Sequence, residues 1–171
     1  MKNKTTIIVS TTIFLIIFLF FFKGLQNTNV YTPEVNKFFF PSFEAKIFES
    51  KNKINSNEIF DKKKFYLFNI WASWCGPCRT EHSLLMNLKN QKNIEVIGLN
   101  YKDDNKKAKI FLEELGNPYE TILSDEDGTI AIEWGAYGVP ESFLIYENKI
   151  IKKIKGPINN NSLLEIKELI K

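Results

Sequence analysis

The chain has 171 residues, enough for one globular domain and a further segment at one end. The net charge of +3 arises near the N-terminus: Lys2, Lys4 and Lys23 are three of the 23 basic residues, and the remaining 20 balance 20 acidic residues that all lie from Glu34 onward. That balance argues against an electrostatic nucleic-acid surface, and two cysteines, at 75 and 78, are too few and too close for a disulfide scaffold.

Thr5 to Phe22 (TTIIVSTTIFLIIFLFFF) contains no charge, proline or glycine. Its length falls near the lower end of the ~17–25 residues of a membrane span. It exceeds the ~7–15-residue apolar stretch of a cleaved signal peptide, and the following Lys23-Gly24-Leu25-Gln26-Asn27 has no A-x-A pattern. Residues 1–23 are therefore read as an uncleaved signal anchor forming one transmembrane helix. Lys2 and Lys4, with no acidic residue before Glu34, put the N-terminus in the cytoplasm. The C-terminal domain of this single-pass protein is then expected to lie outside the cytoplasm. Residues 24–37, polar and containing Pro33, read as a tether, and 38–171 as the folded domain.

Phe43 to Phe48 reads as a first, outer strand and Ser56 to Phe60 as one helical turn. Phe65 to Trp71 (FYLFNIW) is almost continuously apolar, the pattern of a strand buried on both faces. Arg79 to Asn90 carries Leu84, Leu85 and Leu88 at helical spacing, and Ile94 to Leu99 is a second buried strand. Ala108, Phe111, Leu112 and Leu115 line one face of a helix that Gly116 and Pro118 terminate. Ser142 to Tyr146 and Lys149 to Ile154 form a hairpin turning at Glu147-Asn148. Ser162 and Glu165 make a capping-box pattern ahead of a last helix with Leu163, Ile166, Leu169 and Ile170 on its apolar face. The lysine runs at 62–64 and 152–153 read as solvated faces and loop ends. The order is strand, helix, strand, helix, hairpin, helix. This predicts an α/β fold: a mixed central sheet, its parallel pair joined by a right-handed crossover, with helices on both faces.

Trp74-Cys75-Gly76-Pro77-Cys78 lies where a buried strand gives way to a helix. The first helical turn has free N–H groups and partial positive charge, which lower a thiol's pKa from about 8.5. Cys75 at that turn is expected to be exposed and to attack a substrate disulfide; Cys78, one turn along, attacks back and releases the reduced substrate. Pro77 is tolerated in the first turn, where its missing N–H costs nothing. A bond between Cys75 and Cys78 closes too small a loop to add much stability, so the pair points to chemistry. Two other readings of Cys-x-x-Cys are half a zinc site and a copper carrier using a distant histidine. Zinc takes four ligands, and the chain offers two cysteines and His82, which reads as a surface residue of the same helix. No metal and no cofactor beyond the redox-active Cys75–Cys78 pair are expected; a copper carrier stands as the alternative of a different class.

The Trp-Cys-Gly-Pro-Cys motif resembles the thioredoxin superfamily, and Val139-Pro140 ahead of the hairpin strand resembles that superfamily's cis-proline facing the cysteine pair. Three blocks, NIWASWCGPCRTEH (69–82), VIGLNYKDD (96–104) and GAYGVPESFLIY (135–146), together resemble the CcmG/DsbE family, membrane-anchored thiol reductases of cytochrome c maturation. The resemblance covers roughly residues 40–157. The family's approximate pattern G-V-x-G-x-x-E-T-F is met by Gly135 to Phe143, with departures at Ala136 and Ser142.

The resemblance implies a thioredoxin-like fold and a site of Trp74, Cys75, Cys78, Glu81, Pro140 and Glu141, with the two glutamates placing carboxylates near the disulfide. Asn69 stands where ordinary thioredoxins have a buried aspartate, so proton handling falls to Glu81 and Glu141. The implied partners are apocytochrome c, or its thiol partner in the haem-ligation machinery, and a membrane thiol electron donor of the CcdA/DsbD type. A general extracytoplasmic disulfide reductase of the same fold is the nearer alternative.

Overall fold

In a computed structural model, residues 2–26, 40–60 and 63–171 are described. Most of the expected tether, from residue 27, lies outside them, as do Phe38, Phe39 and Lys62. Two separate units are present, the N-terminal helix and the domain. Helix α1 spans Lys2–Gln26, and its stretch Thr6–Lys23 is long and apolar enough to cross a membrane. Phe14, Phe20 and their apolar neighbours on this helix are exposed.

The domain is built on a seven-stranded sheet in the order β2-β1-β5-β4-β3-β6-β7. Its strands are β1 (Glu44–Ile47), β2 (Lys53–Asn55), β3 (Phe65–Trp71), β4 (Ile94–Tyr101), β5 (Thr121–Asp125), β6 (Glu141–Tyr146) and β7 (Lys149–Lys155). The central β3, β4 and β5 are parallel, and the others join antiparallel. The helices are α2 (Ser56–Ile59), α3 (Gly76–Lys89), α4 (Asn105–Leu115), α5 (Thr129–Glu133) and α6 (Asn160–Leu169). The domain therefore has the thioredoxin-like α/β architecture with the mixed sheet that the sequence predicts.

Alternation along β3 divides the core in two. Leu67 and Trp71 face α3, α4 and α6 through Leu85, Leu88, Phe111 and Ile166. Tyr66, Phe68 and Ile70 face α2 and α5. The second half is an aromatic cluster around Trp134, whose ring lies 4.5 Å from Phe68, 5.3 Å from Phe40 and 5.4 Å from Phe143 between centroids. Asn69 sits among these apolar residues on the α3 side, in register with Gly98 and Ser142.

Several elements differ from the sequence reading. Strand β5 and helix α5 are additional. Thr121–Asp125 is too short to announce itself, and its pairing with β4 and β1 makes it a strand. Helix α5 depends on the Asp125 carboxylate, which accepts the N–H groups of Ile130 and Ala131 at 3.2 and 3.0 Å. Strand β2 covers β1, so β1 is not the outermost strand. The last helix is capped by Asn159, with Ser162 at N3 completing the box; Glu165 instead pairs with Lys152 on β7. The hairpin turns at Glu147-Asn148 with φ of 47° and 60°, the left-handed pair that suits a two-residue connection.

Candidate active site

The chain leaves β3 at Trp71, and α3 begins at Gly76. The intervening loop is fixed from outside. Asp103, after β4, accepts from Ser73 N at 2.5 Å and Ser73 Oγ at 2.7 Å, and from Asn100 Nδ2 at 2.9 Å. Trp74 Nε1 donates to Lys102 O at 3.1 Å, which holds its ring, 58 % exposed, against the surface.

Cys75 is the N-cap of α3, and Pro77 lies in its first turn. Cys75 and Cys78 form a disulfide with Cα atoms 5.3 Å apart, and Cys75 Sγ accepts the N–H of Cys78 at 3.1 Å. Upon reduction, a Cys75 thiolate would keep this charge-assisted bond and the positive end of α3. The expectation that Cys75 is exposed is corrected: it is 4 % exposed and Cys78 2 %. Both join the core half that contains Trp71, Ala72 and Leu85, with Cys75 Sγ bonded to the buried Cys78 and accepting its N–H. Beside Trp74 a cleft of about 320 Å³ opens, with Ile110 and Phe111 on its apolar side and Arg79 and Glu114 on its polar side.

Glu81 is fully buried, one turn beyond Cys78 on α3. Its Oε1 accepts from Asn69 Nδ2 at 2.9 Å and its Oε2 from the N–H of Ile158 at 2.7 Å. Burial raises its pKa to about 7, and these two hydrogen bonds limit the rise. Asn69 Nδ2 also donates to Ser142 Oγ at 3.0 Å, and Asn69 Oδ1 accepts from Tyr119 Oη at 2.9 Å. Asn69 is thus the hub of a buried polar chain. Sequence reasoning notes Ser142 only as a departure from the family pattern and does not single out Tyr119, because the sequence does not display that either is buried against Asn69.

The Val139-Pro140 peptide is cis. Register sets this loop beside the end of β3, since Glu141 pairs with Ile70. Glu141 is buried, but it faces the other side of the sheet from Ser142. Its Oε1 accepts the N–H of Tyr137 at 2.7 Å and its Oε2 meets Lys153 Nζ at 2.8 Å. Lys153 also donates to Gly135 O at 2.5 Å and lies over the rings of Tyr137 and Phe143. The two glutamates therefore do not form one cluster: Glu81 lies with Asn69, and Glu141 pairs with Lys153.

His82 is not the surface residue the sequence suggests. It is 3 % exposed, with Nε2 bonded to Gly116 O at 2.8 Å and its ring edge-on to Phe111. Its pKa is lowered, chiefly by burial. Among the described residues, no three His, Cys, Asp or Glu side chains gather into a group able to hold a metal ion.

A thioredoxin-fold domain with a redox disulfide capping the helix after its central strand is a thiol–disulfide oxidoreductase. Residues 34–169 match the Redoxin family. The chain is 43 % identical over 130 residues to the thiol:disulfide interchange protein DsbE of Escherichia coli K12, covering 76 % of this chain and 69 % of that one. The chain belongs to the CcmG/DsbE family of thiol:disulfide interchange proteins. It is also 47 % identical over 105 residues to the thiol:disulfide interchange protein CycY of Rhizobium leguminosarum, a match over 61 % of this chain that spans only 56 % of that protein's length. Among solved structures, a Chlorobium tepidum protein assigned as DsbE superposes with a TM-score of 0.66 at 24 % identity, covering 78 % of this chain and 96 % of that one, a likeness of fold.

Proposed function

We propose that this protein is a membrane-anchored reductase of cytochrome c maturation that returns the haem-attachment cysteines of apocytochrome c to their thiol form. The observation that carries the reading is Cys75 as N-cap of α3, bonded through sulfur to the Cys78 N–H, with the buried Glu81 one turn beyond. The three sequence blocks support the cytochrome c assignment. The apolar stretch within α1 supports anchoring of residues 1–23, with a tether over 24–37 and the domain over 38–171 on the periplasmic side of the inner membrane.

In the reduced protein, the Cys75 thiolate attacks one sulfur of the substrate disulfide, and the other leaves as a thiolate that takes a proton. The Cys78 thiol loses its proton to the Glu81 carboxylate and attacks Cys75 Sγ. The second substrate thiolate leaves and takes the proton that Glu81 received, and the first takes its proton from water. The substrate gains two electrons from the cysteine pair and two protons, one from Cys78 through Glu81 and one from water, and the Cys75–Cys78 disulfide reforms. In this reading Trp74, next to Cys75, and the Pro140 loop, beside the end of β3, flank the path of a substrate chain. A membrane thiol donor of the CcdA/DsbD type restores the dithiol.

The test is a Cys78→Ser variant mixed with an oxidised Cys-x-x-Cys-His apocytochrome peptide and, separately, with an unrelated disulfide peptide. A mixed disulfide through Cys75 that accumulates faster with the apocytochrome peptide is the expected result. Equal trapping of both peptides would favour the general reductase, and trapping by Cys75→Ser instead would reverse the roles of the two thiols.

A further inference from the structure

The polar chain that starts at Glu81 extends through Asn69 to residues the exchange mechanism does not use. Tyr119 lies between α4 and β5, buried, with its ring stacked on Trp71 at 5.3 Å between centroids. Its hydroxyl donates to Asn69 Oδ1 at 2.9 Å. A buried asparagine amide has two orientations that exchange its oxygen and its NH2, and its neighbours decide between them. Here the oxygen takes the phenol proton, and the two NH2 hydrogens go to Glu81 Oε1 and Ser142 Oγ. In the reversed orientation the NH2 would face Tyr119 Oη, the phenol O–H would lose Asn69 Oδ1 as its acceptor, and Asn69 Oδ1 would face Glu81 Oε1. Two oxygens in contact require a proton between them, so that orientation stabilises protonated Glu81.

We propose that Tyr119 is a positioning residue of the exchange site: its hydroxyl fixes the Asn69 amide with its NH2 toward Glu81, and so sets the pH at which Glu81 can take the Cys78 proton. This deepens the reading in which Glu81 serves as that base, and rests on it. Burial and the nearby Glu81 charge push the Tyr119 pKa well above 10, so the phenol remains a donor wherever the enzyme works. Among the described residues, the other groups near Glu81 are these. The Cys75–Cys78 pair and His82 lie on its own helix, with the His82 ring turned to Gly116 O. Strand β3 contributes Asn69, β6 contributes Ser142, and the segment before α6 contributes the Ile158 N–H. Among the described residues, Tyr119 is thus the one titratable side chain outside α3 in this chain of contacts.

The experiment follows the protonated-carboxyl infrared band of Glu81 against pH in the oxidised full-length protein in detergent, identified by its absence in Glu81→Gln. Tyr119→Phe keeps the ring on Trp71 and removes the hydroxyl. Its midpoint should move upward by about one pH unit, a tenfold change in the equilibrium, and the pH profile of exchange should move with it. Gly98→Ala gives a second variant with the hydroxyl retained: a Cβ there would lie 2.9 Å from the Tyr119 ring and 2.9 Å from Trp71 Nε1, on which that ring stacks, and force the stacked pair to shift, so the midpoint should again rise. In an Asn69→Ala background, Tyr119→Phe should add nothing. An unmoved midpoint in Tyr119→Phe overturns the proposal, as does a shift that persists without Asn69. The infrared titration needs no substrate, so failure to trap an apocytochrome peptide would count against the proposed function and leave this result standing.

Discussion

Lys153 meets Glu141 at 2.8 Å on the sheet face opposite Glu81, with their side chains 12 % and 6 % exposed. The carboxylate that the sequence places near the disulfide therefore carries its own counter-charge. The same ammonium donates to Gly135 O, tying the loop that leads to Pro140 back to β7.

Removing one member of this pair leaves a buried charge uncompensated, at a cost of about 3–5 kcal/mol, whereas removing both is close to neutral. Glu141→Gln and Lys153→Met should each lower the urea midpoint strongly, and the double variant should recover most of the loss. Glu141→Gln should also lower the Cys75 pKa, because a negative charge is lost and the Lys153 charge is uncovered. That shift should be smaller than the one from Glu81→Gln, whose carboxylate shares α3 with the cysteines. Thiolate absorbance titrations of both variants check this; an unchanged Cys75 titration in both would reduce the glutamates to structural acids.

Glu81 makes stability depend on pH. Its folded pKa of about 7 lies above its ordinary value of 4.5. Between those values the unfolded chain has lost the proton that the folded one keeps, so stability falls as pH rises through this window and levels off above it. The difference is of the order of 3 kcal/mol. His82 acts oppositely: its lowered pKa costs stability as pH falls below about 6.5. The difference in unfolding free energy between wild type and Glu81→Gln isolates the first effect. It should change steadily from pH 4.5 to 7 and be flat above; a difference flat throughout would show that Glu81 titrates normally in the folded protein.

The N-terminal segment should remain on the mature chain and hold the domain outside the cytoplasm. Protease added to spheroplasts should remove the domain while cytoplasmic markers survive, and the mass of membrane-extracted protein should include residues 1–23. A mature N-terminus between Gly24 and Thr32 would contradict the anchor, and a protected domain would contradict the orientation.

Local signals sufficed where one short stretch carries the information. FYLFNIW matches β3 at both ends; the redox motif marks the start of α3; the paired apolar runs around Glu147-Asn148 give the hairpin; and Gly116 ends α4. These elements depend on periodicity, capping and turn chemistry, which neighbouring residues impose on one another. Helix α5 was illegible because its N-terminal N–H groups are satisfied by Asp125, the last residue of the preceding strand, and β5 because its partners lie far away in sequence. The site divides similarly. Cys75, Cys78 and the proline ahead of β6 could be named from sequence. The burial of Cys75 and His82, the separation of Glu81 from Glu141, the Lys153 counter-ion and the Tyr119–Asn69–Glu81 chain could not. Each joins residues from different strands and helices, and sheet register together with side-chain alternation decides which polar groups meet away from water. Only there does a missing or present hydrogen bond shift a proton equilibrium by whole pH units, because burial removes the solvent that would otherwise compensate.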